Sequence, residues 1–286
     1  MVCAWRALEA LLPAEQRIVD DRHARAFLGP SRAALLDLAE RLPPRALRAL
    51  VRHADRLLQG AMTFVMARHR AIDDLLSEPR WQQVVLLGAG YDSRAVRLAG
   101  PLAQATLFEV DHPATARRKR ELAPRAFGRA PRAPTVDVSI DFNRESLEVR
   151  LRESGFVAGR LTFWVWEGVS MYLDEAAVRA TLDLVRRLSA PGSLIACDVW
   201  CPPEGGLRQL TQRDLPALAF KLLYEEPLTW GIPRERLSGF FREHGLALIE
   251  DVPADDLVRR YQPRLRGRAL GGGTNMVFAV GEVDRG

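Results

Sequence analysis

From Trp5 to about Glu78, apolar residues recur at three- and four-residue intervals. Trp5-Leu8-Leu12, Leu35-Leu38-Leu42 and Phe64-Val65-Ile72-Leu75-Leu76 each mark one face of a helix. Pro13, Gly29-Pro30, Pro43-Pro44 and Gly60 interrupt the pattern, so the first eighty residues or so are expected to form a helical layer without strands. The period changes at Gln83-Val84-Val85-Leu86-Leu87. This apolar run is too brief for a buried helix and ends in Gly88, as a strand covered on both faces does.

Beyond it, short apolar runs at 105–110, 135–138, 161–166 and 193–199 alternate with helical patterns at 93–98, 113–122, 146–154 and 174–188. A helix at 234–244 and strands at 246–252 and 275–280 close the chain, the last after Gly271-Gly272-Gly273. Strands separated by helices imply right-handed crossovers, so the expected fold class is α/β, with a doubly wound, mostly parallel seven-stranded sheet. The stretch 202–233 breaks the rhythm with five prolines, Trp230 and a helical pattern at 215–224, and suits a lid over a site. The expected organisation is a single domain, 1–286. Within it lie a helical cap at 1–80, a core at 81–200, a lid at 201–233, and the last helix and strands at 234–286.

Composition narrows the class. The chain has 286 residues and is 48% hydrophobic, enough to bury a substantial core. It has no uncharged apolar run of eighteen residues, and arginines and glutamates interrupt its N-terminus, so neither a membrane span nor a signal peptide is expected. Cys3, Cys197 and Cys201 make an odd count with no histidine at zinc-finger spacing. They read as reduced thiols of a cytoplasmic protein, and no metal site is expected. A net charge of +5 raises the question of a nucleic-acid partner. Yet of the 41 basic residues only Lys119 and Lys221 are lysines, the mark of a GC-rich coding bias. Two basic runs stand out, Arg117-Arg118-Lys119-Arg120 and the set Arg259, Arg260, Arg264, Arg266 and Arg268. Acids are interspersed nearly everywhere else, so these runs read as solvated helix faces and no nucleic acid is expected.

The most informative segment is 84–94, a strand running through Gly88-Ala89-Gly90 into a helix with Asp92 or Ser93 as its N-cap. Glycines at the carboxyl end of the first strand let the backbone approach a ligand in the crevice of a doubly wound sheet. Twenty-one positions after Gly90, Asp111 ends the second strand, where its carboxylate can accept bonds from both ribose hydroxyls. Together they point to an adenosine cofactor. A nicotinamide or flavin dinucleotide shares this fingerprint. Here Ser93 replaces the third glycine and Asp92 adds a negative charge where a pyrophosphate would sit. S-adenosylmethionine (SAM) carries a sulfonium and no phosphate, so the turn favours SAM over the dinucleotides.

Three motifs, 88–94 (GAGYDSR), 108–113 (FEVDHP) and 166–173 (WEGVSMYL), resemble the leucine carboxyl methyltransferase superfamily, in particular a bacterial branch of SAM-dependent methyltransferases that includes polyketide O-methyltransferases. The segments Arg68-His69-Arg70-Ala71-Ile72-Asp73-Asp74 and Arg22 to Leu28 are similar to further elements of that branch, so the resemblance covers about residues 5 to 280. It implies a class I, Rossmann-like methyltransferase with SAM as cofactor and a small-molecule acceptor. The backbone of Gly88, Ala89 and Gly90 would line the methionine part, Asp111 the ribose, and Asp141 and Phe142 the adenine. Arg68, or alternatively Arg70, would bind the methionine carboxylate, Glu167 the amino group, and Tyr172 would point its hydroxyl at the transferring methyl. Ser170 stands where the branch usually has threonine, and 202–233 matches nothing in it.

Methyl transfer from a sulfonium is an in-line displacement that needs alignment and exclusion of water more than a covalent intermediate. A carboxylate acceptor is already nucleophilic. A hydroxyl acceptor would gain from a base, for which His53, His69, Tyr172 and Tyr224 are the candidates. A nucleic-acid methyltransferase and a non-catalytic SAM-binding protein are the two rival readings.

Overall fold

The computed structural model describes residues 2–58, 60–142, 144–202, 228–261 and 275–284. Four helices come first: α1 (Val2–Glu9), α2 (Pro30–Glu40), α3 (Pro44–Leu57) and α4 (Ala61–Leu76). Prolines open α2 and α3, where the missing N–H costs no helical bond. Between α1 and α2, Asp21 caps a 3-10 turn at Arg22–Phe27 by accepting from the His23 and Ala24 N–H groups.

Seven strands follow: β1 (Gln83–Leu87), β2 (Thr106–Asp111), β3 (Thr135–Ser139), β4 (Thr162–Trp166), β5 (Leu194–Trp200), β6 (Leu246–Pro253) and β7 (Met276–Val283). They form one sheet in the order β3-β2-β1-β4-β5-β7-β6. The first five are parallel, and β7 lies antiparallel between β5 and β6. The intervening helices are α5 (Arg94–Arg97), α6 (Pro113–Phe127), α7 (Leu147–Glu153) and α8 (Glu175–Leu188), with α9 (Arg234–Glu243) and α10 (Ala254–Arg260) flanking β6.

The strands are apolar at successive positions because both faces are covered. On one face Val84, Leu86, Leu107, Phe163, Val165, Leu194 and Ala196 pack with Ile72 and Leu76 of α4 and Leu257 of α10. On the other, Val85, Leu87, Phe108, Trp164, Ile195 and Cys197 pack with Leu151 of α7, Val178 and Leu182 of α8 and Phe241 of α9. This period of two decides where the polar residues at the strand ends go. Glu167, one step past β4, and Asp198 near the end of β5 both fall on the α4 side.

The expected helical cap and all seven strands are present, displaced by a residue or two at their ends and, at the end of β7, by three. The helix after the glycine turn is a single turn, α5, within a residue of its expected ends and with Ser93 as its N-cap. Two helices differ. Helix α6 runs five residues past its expected end and carries Pro124 internally. Helix α10 was not anticipated. It opens after Pro253, has acids in its first turn and Arg259 and Arg260 in its last, and buries Leu257 and Val258. The expected helix at 215–224, most of the expected lid (203–227), Tyr224, Gly271-Gly272-Gly273 and Arg264, Arg266 and Arg268 lie outside the described residues. Among those described, no helix is long and apolar enough to cross a membrane.

Candidate functional site

The reversal of strand order at β1 puts a crevice at the carboxyl ends of β1, β2 and β4, the usual ligand position in such sheets. Gly88 leaves β1 at φ +72°, and a Cβ built on it would come within 2.9 Å of the Val169 side chain. Only glycine fits there, on conformational and steric grounds together. The Gly90 N–H donates to Asp111 Oδ2 at 2.5 Å, while Asp111 Oδ1 accepts from the His112 N–H at 2.7 Å. Asp111 thus ties the glycine turn to the end of β2 and remains half-exposed at the crevice. Past β3, Asp141 is half-buried and Phe142 leaves 57% of its surface open, an unusual exposure for a large aromatic ring.

Glu109 shares a strand face with Asp111 but has a different fate. It is buried against Lys119 Nζ at 2.6 Å, and burial pushes its carboxyl above the ordinary range. That leaves Asp111 as the carboxylate of β2 open to a ligand.

Beneath the turn lies a buried ion network that the sequence did not reveal. Arg94, fully buried, donates from Nε to Asp73 (2.7 Å) and from NH1 to Asp92 and Glu167 (2.6 Å each), and its NH2 lies 2.7 Å from His69 Nδ1. Arg97 NH1 reaches Asp73 at 2.6 Å, and its NH2 lies 2.8 Å from His69 Nε2. Arg68 donates from Nε to Glu167 (3.2 Å) and from NH1 to Asp198 (2.5 Å), and Asp198 also accepts from the Gly168 N–H (2.6 Å). Burial works against the charged forms of Asp73, Asp92 and Glu167. The adjacent guanidinium groups outweigh it and hold all three below the usual carboxylate range. Burial, with Arg94 beside it, pushes His69 below its ordinary pKa and keeps it neutral. His69, Asp92 and Glu167 lie close enough together for a cation. Arg94, however, is already bonded or in contact with all three and supplies their positive partner.

Several expectations need correction. Arg70 points away from the crevice and pairs with Asp74 at 2.6 Å on the exposed face of α4, as (i, i+4) neighbours do. Of the two arginines considered, the structure brings only Arg68 to the strand ends. Asp92 turns inward and caps the Arg94 N–H at 2.6 Å, so its charge is spent on Arg94 and does not face a ligand. The case against a pyrophosphate rests instead on α5, whose four residues sum to little dipole. As candidate bases, His53 is exposed on α3 and His69 is buried between two arginines. Tyr172, half-buried, ends the one-turn 3-10 helix Ser170–Tyr172 directly after Val169, and the Ser170 hydroxyl anchors this turn on the Asp198 carbonyl at 2.7 Å. The basic run on α6 is largely paired: Lys119 with Glu109, Arg118 with Glu121 at 2.8 Å, and Arg120 with Asp137 at 3.8 Å. In the second run, Arg259 pairs with Asp256 and Arg260 with Glu250.

The network sets an acid sensitivity. The unfolded chain protonates His69 below about pH 6.5, whereas the folded chain resists, so stability falls with pH from that point downward. Asp73, Asp92 and Glu167 add stability above about pH 4 that is lost as pH falls through their lowered values. Burial raises Asp198 and Glu109, which act oppositely, so the share of His69 is read by comparing the wild type with a variant that lacks the imidazole between about pH 6.5 and 5. The melting temperature should decline across this window in the wild type and less steeply in His69→Gln. Equal slopes would mean that His69 does not carry the effect.

Residues 1–186 match the family model for leucine carboxyl methyltransferase. A protein of Mycobacteroides abscessus, provisionally named an S-adenosyl-L-methionine-dependent methyltransferase, is 36% identical over 214 residues, 73% of this chain and 65% of its own. The chain belongs to the leucine carboxyl methyltransferase family. A second relative, from Mycolicibacterium gilvum and provisionally named in the same words, is 30% identical over 277 residues, 91% of this chain and 87% of its own. The first match therefore spans just under two thirds of that relative. A crystal structure of a DUF574 family protein from Streptomyces avermitilis shares the fold, with a TM-score of 0.59 at 14% identity over 95% of this chain and 97% of that one. Family membership brings SAM as the cofactor. The crevice suits it: a close-approach glycine turn, a half-exposed carboxylate at the end of β2, and an open aromatic ring one strand further along.

Proposed function

We propose that the chain catalyses methyl transfer from SAM to an oxygen of a small molecule, a carboxylate or hydroxyl on a polyketide or other secondary metabolite, in the cytoplasm. The observation that carries this reading is the convergence of the Gly88–Gly90 turn, Asp111 and the Arg68–Glu167 pair on one crevice. When bound, SAM supplies an electrophilic methyl on a sulfonium. The chain's own residues orient it. Asp111 accepts from the ribose, Asp141 from the adenine amine while Phe142 packs on the ring, and the backbone at Gly88, Ala89 and Gly90 lines the methionine chain. Arg68 meets the methionine carboxylate, and Glu167, kept ionised by Arg94, faces the ammonium.

Tyr172 directs its hydroxyl at the methyl or the acceptor oxygen. Tyr172→Phe should therefore lower kcat by roughly tenfold or more while leaving the SAM Kd within about twofold. Equal losses in both would place Tyr172 in the cofactor site, and lost stability with intact kinetics would make it a packing residue. A small-molecule acceptor fits the pairing of Arg118, Lys119, Arg120 and Arg259 with acids, which leaves these residues of the two basic runs occupied rather than aligned for phosphates. The experiment is incubation of cell extract with the enzyme and methyl-labelled SAM, followed by mass spectrometry. Label in a low-molecular-weight compound supports the reading, and label confined to nucleic acid or protein contradicts it.

A further inference from the structure

Asp198 is an ionisable residue in a strand that is otherwise buried and apolar from Leu194 to Val199, and it is 1% exposed. Strand periodicity turns it to the α4 side with Leu194 and Ala196, towards Arg68. Its two oxygens are divided. Oδ1 accepts from the Gly168 N–H at 2.6 Å and Oδ2 from Arg68 NH1 at 2.5 Å. Gly168 sits at φ +70°, and a Cβ there would lie 3.8 Å from both terminal nitrogens of Arg68, so the turn and the guanidinium are packed as one unit. Arg68 Nε is held by Glu167, which leaves NH2 with no hydrogen bond among the described residues. A planar fork pinned at two nitrogens by carboxylates from two different strand ends has one orientation left, and its third nitrogen points where they allow.

We propose that Asp198 is a positioning residue: held between the Gly168 N–H and Arg68, its carboxylate aims the remaining guanidinium nitrogen of Arg68 at the amino-acid end of SAM. The inference rests on the reading that Arg68 binds the methionine carboxylate. It assigns Asp198 no contact with the cofactor, so its effect must pass through Arg68 and must vanish for a ligand that lacks the amino acid.

The test compares SAM with 5′-methylthioadenosine, which keeps the adenosine and the sulfur but has no amino-acid portion. Isothermal titration of Asp198→Asn should show SAM bound roughly tenfold or more weakly, because preorganisation of Arg68 is lost, with methylthioadenosine unchanged within about twofold. Unchanged methylthioadenosine binding also reports that the variant is folded. The double variant Arg68→Gln/Asp198→Asn removes both charges together, and against Arg68→Gln alone it should lose no further SAM affinity. This second comparison stands even where Asp198→Asn alone does not fold. Equal weakening of both ligands, no weakening of either, or a further loss in the Arg68→Gln background would overturn the proposal. If Arg68→Gln reduces SAM binding and Asp198→Asn does not, only the role of Asp198 is refuted. SAM binding to Arg68→Gln at wild-type strength would instead refute the reading of Arg68 and the proposal with it.

Discussion

Asp111→Ala should weaken SAM binding by roughly ten- to a thousandfold. A carboxylate that accepts from two ribose hydroxyls makes two charge-assisted bonds of about 1.5 to 3 kcal/mol each, partly offset by the water it binds when free. Each 1.4 kcal/mol is a factor of ten. The structure adds a second contribution, because Asp111 also accepts from the Gly90 and His112 N–H groups, so the alanine variant loosens the glycine turn. Asp111→Asn retains an acceptor and the shape, and should lose less. Glu109→Gln is the control on the same strand face. Its partner is the buried Lys119, so that variant should cost stability and leave SAM affinity within about twofold. Titration calorimetry with SAM on the three variants checks all of this. Wild-type affinity in Asp111→Ala would remove the ribose role from Asp111.

Arg94→Met should be the most damaging substitution to the fold. It removes the positive partner shared by Asp73, Asp92 and Glu167, all three of which stay inside a network beneath the crevice. Breaking one partner of a buried ion pair costs about 3 to 5 kcal/mol, against a total stability of about 5 to 15 kcal/mol for a typical protein. Arg94→Lys keeps a charge but cannot reach four partners with a planar fork, and should fall between methionine and wild type. Urea unfolding followed by circular dichroism measures the shift. A loss below about 1 kcal/mol in Arg94→Met would mean that neighbouring arginines or protonation of the acids already compensate.

The sheet was legible because burial on both faces leaves short continuous apolar runs, as at Val84–Leu87 and Phe163–Trp166, and periodicity needs no long-range information to be read. The glycine turn and Asp111 were legible for a similar reason, since both lie at strand ends that the pattern itself locates. Helix ends were less so. Helix α6 runs through Pro124 to Phe127, five residues past its expected end.

The ion network was not legible. Its members come from α4, the turn after β1, α5, the end of β4 and β5, separated by up to 130 positions, and no local pattern pairs Arg68 with Asp198. One signal was present all the same. Asp198 interrupts an apolar strand, and a charge at such a position has to find a buried partner across the face it points to. Arg68 is the first choice for the carboxylate and Arg70 the alternative, and Asp74 captures Arg70 at the surface. Asp92 misled for the opposite reason: its charge is real, but Arg94, two residues on, takes it inward.

The central claim is that the crevice at the ends of β1, β2 and β4 binds SAM. Isothermal titration of the wild-type chain tests it most directly, with SAM in one experiment and NADH in the other. The account predicts saturable binding of one SAM per chain, displaced by its demethylated product, and no heat of binding with NADH. Saturable binding of NADH without binding of SAM would contradict it.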